Sequence, residues 1–290
     1  MGSGGQRSVK SRAAGGGATT VAAAATSAGS TGGGSGAVSR NLFGTDTFAS
    51  LDQKTQESII NDAVNAPQKN SYMAYGTSYQ KFINNSGLDG KPRLMDSDDF
   101  DKENGPVIYR TVNSNSSFSA AGVAENVAND DTFLYNGNGG TFHGLGLYTT
   151  PNLSGSLGYG YNQDKNTAVM RFKIRDDAKI INEQDLSDQV FNESLKPGSL
   201  VHKLQWDYGY SNDTTKAIYA MSKGYSIVTE AKGKDQKSLR KAMMDGGDHY
   251  TEVLNRGALI MDKQTKTMMS KNQNRPGRTW GDLKDNHKIK

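Results

Sequence analysis

The stretch Ala168-Val169-Met170-Arg171-Phe172-Lys173-Ile174-Arg175 decides the fold class. Met170, Phe172 and Ile174 fall on one face and Arg171, Lys173 and Arg175 on the other, the period-two pattern of a strand. Working outward, 107–112 is a β-branched run after Gly105-Pro106, and 145–150, 178–181 and 225–228 read as further strands. Two more, at 250–254 and 258–261, enclose the turn-like Asn255-Arg256-Gly257, and a short apolar run at 133–135 precedes a Gly/Asn turn at 136–140. Helical spacing lies mostly before this region. Residues 45–64 carry Phe48, Leu51, Ile59, Ile60 and Val64, with Thr45 or Asp46 as cap and Pro67 as stop. Tyr72, Tyr75, Tyr79, Phe82 and Ile83 mark a second helix closed by Gly87, and 214–223 a third stopped by Gly224. Helices first, then strands with short helices between them, predict an α+β fold in which distant strands share one core.

The ends differ in composition. Residues 1–40 hold 31 Gly, Ala, Ser and Thr, four basic residues and no acid. Such a segment cannot bury enough apolar surface to offset about 1–2 kcal/mol of backbone entropy per residue, so a disordered tail is expected. Residues 263–290 read as a second polar, basic tail, which leaves 41–104 as a helical N-terminal part and 105–262 as the core. The formal charge of +4 belongs to these ends, because 41–261 carries 22 basic against 27 acidic residues.

Several function classes drop out. No cysteine means no disulfide framework, no thiolate metal site and no cysteine nucleophile. Four scattered histidines form no zinc-protease spacing, and no metal is expected. No apolar run of about 18 residues exists and 21–25 is too short for a signal core, so a soluble protein without a membrane partner is expected.

Four places carry candidate chemistry. Arg110 lies within an apolar strand, either as an edge residue paired to a carboxylate or as an anion clamp. Gly144, Gly146 and Tyr148 lead into Thr149 and Thr150; the glycines permit close backbone approach to a ligand and the tyrosine can stack on a flat ring, or the segment is a plain hairpin. Ser154, Ser156 and Tyr159 sit on a short glycine-rich helix, where the hydroxyls are ligands or caps. Glu252 heads an apolar strand with Arg256 four positions on, which a rim salt bridge explains as well.

In order along the chain these four places resemble the ADP-ribosyltransferase family. Tyr109-Arg110 is similar to its opening motif. Gly144-x-Gly146-x-Tyr148 with Ser154, Ser156 and Tyr159 resembles the segment of its poly-ADP-ribose polymerase branch. Leu147-Tyr148-Thr149-Thr150 falls where the toxin branch has an aromatic-x-Ser-Thr-Ser strand, and Glu252-Val253-Leu254-x-Arg256-Gly257 resembles that branch's catalytic-glutamate strand. The resemblance covers roughly 105–262 and implies two packed, largely antiparallel sheets with N-terminal helices. It implies NAD as co-substrate and transfer of ADP-ribose to a macromolecular acceptor, protein first. Glu252 would be catalytic; Arg110, Gly144, Gly146, Tyr148, Thr149, Thr150 and Tyr159 would bind NAD, with a threonine orienting Arg110 or Glu252. Three departures accompany it: Tyr250 stands where toxins carry the acceptor-selecting Glu or Gln, Thr149-Thr150-Pro151 replaces Ser-Thr-Ser, and the catalytic strand is one residue short.

A narrower resemblance is to tailed-phage virion-associated proteins, through Gln80-Lys81-Phe82, Asp177-Ala178-Lys179-Ile180-Ile181 and Leu254-Asn255-Arg256-Gly257-Ala258-Leu259. It implies a virion or bacterial host cytoplasm as location and capsid or DNA contact through the basic ends. Two alternatives stay open: an inactive virion accessory protein with this fold, and an NAD glycohydrolase.

Overall fold

The computed structural model describes residues 52–55, 57–58, 90–114, 118–130, 146–159, 167–207, 209–247, 249–268 and 278–290. The tail expected over 1–40, the helix expected around Tyr72 to Ile83, the turn at 136–140 and Gly144 lie outside them. Of the helix expected over 45–64, residues 53–55 and 57–58 are described and helical, and Asp52 caps them by accepting from the Thr55 N–H at 2.9 Å. The architecture is α+β.

Strand β4 (Thr167–Ile174) is the one that the alternating stretch predicts, and it forms the middle of the larger sheet. Its two faces are both buried, for different reasons. Met170, Phe172 and Ile174 enter the main apolar core. The basic face is covered by helix α1 (Ser97–Lys102) and by Trp280. Arg171 donates to Asp262 at 2.6 Å and to Asp101 at 2.7 Å, with its guanidinium between the rings of Phe100 and Trp280. Lys173 donates to the carbonyls of Phe100 and Glu103 at the end of α1, the first of which also accepts the Glu103 N–H.

β2 (Val107–Asn113) pairs antiparallel with β4 along its whole length. On the other side lie β8 (Leu259–Asp262) and β9 (Gln264–Thr267), separated only by Lys263. Outside these, β1 (Arg93–Met95) runs parallel to β8 and β10 (Lys284–Lys288) antiparallel to β9.

The expectation of a C-terminal tail is therefore corrected: 264–267 and 284–288 are sheet strands. Their polar pattern misled because β10 is an exposed outer strand held by few apolar anchors, the buried Met268, Leu283 and Ile289. Lys263 and Lys288 both pair with Asp96, and Lys266 with Asp285, so much of the basic charge is answered locally. The divisions at 104/105 and 262/263 likewise fall inside one sheet, since β1, β9 and β10 join β2 and β8 in it.

The smaller sheet has the order β3-β7-β6-β5, made of β3 (Leu147–Thr149), β7 (Thr251–Val253), β6 (Tyr225–Thr229) and β5 (Lys179–Asn182). It is mixed, with β5 and β6 parallel and the other pairs antiparallel. The crossover from β5 to β6 contains α4 (Glu183–Ser194) and α5 (Asn212–Ser222). Gly224, at φ +81°, ends α5 as its sequence predicts, because a left-handed backbone there suits glycine. The outer edge of β5 is closed by Gln236, whose amide pairs with both the N–H and the carbonyl of Ile180.

The sheets meet where Tyr109 of β2 and Thr150 exchange two backbone hydrogen bonds of 2.8 and 3.1 Å. Residues of both pack into one core that includes Ile108, Met170, Phe172, Leu147, Ile227 and Val253. This joint brings β2, which carries Arg110, beside β3 and β7, which carry Tyr148 and Glu252.

Candidate active site

Glu252 lies on the inner strand β7, opposite Tyr148 on one side and Val228 on the other. Directly opposed residues point to the same face of a sheet, so these three side chains share one face. Glu252 is only 4% exposed. One carboxyl oxygen, Oε1, accepts the Gly146 N–H at 2.9 Å. A Cβ on Gly146 would stand 2.5 Å from Glu252 Cγ and 3.0 Å from Oε1, so a glycine is what lets the backbone reach the carboxyl. Burial pushes the Glu252 carboxyl up to about 8, the Gly146 N–H pulls against it, Asp213 and Glu183 push further, and Lys216 opposes them. At neutral pH this favours the protonated form of Glu252.

Arg110 is 8% exposed and its guanidinium lies 5.5 Å from the centre of the Tyr159 ring. Tyr159 is placed by helix α3 (Leu153–Gly158), which Asn152 caps by accepting from the Ser154 and Gly155 N–H groups. The buried Ser156 hydroxyl lies 3.0 Å from that of Thr111, tying α3 to β2. The serine segment thus positions an aromatic over the arginine.

The threonines behave differently from the expectation. Thr149 Oγ1 donates to the Thr251 carbonyl at 2.9 Å, and Thr150 Oγ1 accepts from the Asn152 N–H at 3.2 Å. Neither hydroxyl bonds Arg110 or Glu252. The physical reason is local: the strand pairing and the turn into α3 offer both hydroxyls backbone partners.

The residues converge. Arg110, Tyr148, Thr149, Thr150 and Tyr159 line one cleft together with Tyr109 and Tyr250. Glu252 lines an adjoining cleft with Glu183, Val228 and Glu230, and Tyr148 and Tyr250 border both. A cationic compartment and an acidic one therefore meet at two tyrosines.

Glu183 and Glu230 are absent from the sequence-based candidates. Glu183 is the first residue of α4, and Glu230 directly follows β6, with its Oε2 accepting from the Tyr250 N–H at 3.1 Å. No local motif marks either; the pairing of β5 with β6 places Glu183 and that of β6 with β7 places Glu230. Arg256, by contrast, forms no rim salt bridge with Glu252. It donates to the carbonyls of Val127 and Asp130, both at 2.7 Å, closing the C-terminal end of helix α2 (Ala120–Asn129).

Among the described residues no cluster of three or more His, Asp or Glu side chains could hold a metal ion, and no helix is long and apolar enough to cross a membrane. A roomier pocket follows the edge of β5 beside Gln236, away from these residues. No family model, curated protein or solved structure matches the chain.

Proposed function

We propose that the chain is an NAD-dependent mono-ADP-ribosyltransferase. The observation that carries the proposal is the juxtaposition of Arg110 and Glu252 in clefts that share Tyr148 and Tyr250. NAD has the matching polarity: an anionic diphosphate a few bonds from a cationic nicotinamide ring. In this reading Arg110 holds the diphosphate or its adjoining ribose, Tyr148 stacks on nicotinamide, and Glu252 faces the ribose between them.

The bond broken joins nicotinamide nitrogen to the ribose C1′ carbon. Its electron pair leaves with nicotinamide, which departs neutral, so no general acid is required. Positive charge develops on the ribose as in glycoside hydrolysis, and the Glu252 carboxylate stabilises it. The acceptor nucleophile then bonds to C1′ and loses its proton. One carboxylate and one arginine serve this chemistry where a glycoside hydrolase requires two carboxyls.

Because burial favours the protonated form of Glu252 at neutral pH, kcat/KM is expected to rise with pH and level off above about 8. The acceptor is proposed to be a macromolecule, protein first, encountered in a virion or a bacterial host cytoplasm. Purified protein incubated with NAD and a cell lysate should release nicotinamide and label protein with ADP-ribose. Free ADP-ribose without label would identify an NAD glycohydrolase instead.

A second reading, an inactive accessory protein of the same fold, draws on the threonine hydroxyls, which are committed to backbone partners. NAD binding without turnover would favour it.

A further inference from the structure

Strand β2 turns its two faces to different parts of the molecule. Ile108 and Val112 enter the main core, and the alternation of the strand puts Arg110 between them on the same face. Tyr109, Thr111 and Asn113 face the other way, toward helix α3. Tyr109 packs there with Leu153 and Leu157, and the Thr111 hydroxyl lies 3.0 Å from that of Ser156. Tyr159 follows α3 and so starts from the face opposite Arg110, yet its ring lies 5.5 Å from the Arg110 guanidinium. The two therefore meet around the edge of β2, which, among the described residues, no strand pairs beyond the Tyr109–Thr150 joint.

Asn113 fixes where that crossing occurs. Its Nδ2 donates to the Tyr159 carbonyl at 3.0 Å, at the point where the chain leaves α3. Its other amide atom, Oδ1, is buried with no hydrogen-bond partner among the described residues. A buried amide with an unmet acceptor is unfavourable, so an apolar side chain would suit this position better if only shape mattered. What the asparagine adds is the donor, and the donor goes to Tyr159.

We infer that Asn113 is a positioning residue of the candidate site: it holds the Tyr159 backbone so that the ring covers Arg110 and sets the plane of its guanidinium. A ring on the face of a guanidinium restrains that plane, and the edge of the plane carries the N–H groups that meet a diphosphate. Arg110 and Tyr159 line the cleft, whereas Asn113 stands outside its lining and acts through them. That the anion is the diphosphate of NAD rests on the transferase reading. The order Asn113, Tyr159, Arg110 rests on the hydrogen bond and the ring contact.

The test uses the full chain and ADP-ribose, which carries the diphosphate without the nicotinamide bond. Affinity is read by calorimetry, and the steady-state constants for NAD and the melting midpoint are measured beside it. Asn113→Leu and Asn113→Ala should each weaken ADP-ribose binding by about fivefold, the weight of one hydrogen bond. KM for NAD should rise by the same factor with kcat unchanged, and the leucine variant should melt no lower than the parent. In a Tyr159→Ala background, Asn113→Ala should change affinity by less than about twofold, because the ring it positions is gone. Equal losses in both backgrounds, a fall in kcat at constant KM, or a lowered midpoint with undiminished affinity overturns the inference, as does a parent chain that does not bind ADP-ribose. Nicotinamide release separates the two readings. Coupled binding without release keeps Asn113 in its role and contradicts the transferase; release with additive variants does the reverse.

Discussion

In the larger sheet the Arg171 guanidinium meets Asp262 and Asp101 and lies between two aromatic rings, while Asp262 also accepts from Ser97 and from the Gln264 N–H. In the smaller sheet Glu252 has one backbone N–H bond, and the charges around it are the carboxylates of Asp213 and Glu183 and, opposing them, the Lys216 ammonium. Both centres are buried on inner strands, but one is fully answered and the other is not. The comparison separates two uses of buried charge. A satisfied pair fixes a sheet and its covering helix, whereas a buried carboxyl with one hydrogen bond and like charges nearby has its proton affinity raised, as the proposed catalytic role uses.

The largest expected effect lies on the satisfied side. Asp262→Asn leaves the buried Arg171 with only the exposed Asp101 as charge partner and should destabilise the fold by about 3 kcal/mol, read as a lowered denaturation midpoint. Nicotinamide release per folded molecule should stay unchanged. A loss of activity at full stability would break the distinction.

Glu252→Gln should act in the opposite sense. The folded chain keeps a proton on Glu252 that the unfolded chain loses, so this group's contribution to stability is intact below about 4.5 and falls as pH rises to about 8. The loss approaches about 1.4 kcal/mol per pH unit inside that window. The glutamine variant should therefore gain stability over the parent between pH 5 and pH 9, measured by melts across pH. Parallel pH profiles would contradict the burial argument.

Gly146→Ala introduces a methyl where Glu252 Cγ already stands, and the displaced carboxyl should reduce turnover by about 10²-fold. Arg110→Lys retains the charge but loses the planar fork over Tyr159; a rise in KM for NAD of about tenfold is expected, with kcat little changed. A fall in kcat alone would move Arg110 from binding to chemistry.

The legible part of the fold was the part governed by local pattern. The alternation of β4, the glycine that ends α5 and the strands at β2 and β6 all follow from side-chain periodicity and backbone freedom. What escaped depends on distant partners. Helix α1 reads as an acidic stretch because Phe100 is its sole buried anchor. Strand β10 reads as a tail because its backbone pairing with β9 carries no apolar signature. The same division applies to the site. Arg110, Gly146, Tyr148 and Glu252 were marked by residue type and order, whereas Glu183 and Glu230 reach the cleft only through the crossover and the β6–β7 pairing. The role of Arg256 at the end of α2 was likewise invisible, since its partners are backbone carbonyls some 126 positions or more away.

The central claim, that Glu252 is the catalytic carboxylate of an NAD-cleaving site, is tested most directly by nicotinamide release from NAD at pH 8.

The account predicts release by the parent chain and a loss of at least about 10²–10³-fold in a folded Glu252→Gln variant. Undiminished release by that variant, or none from the parent, would contradict it.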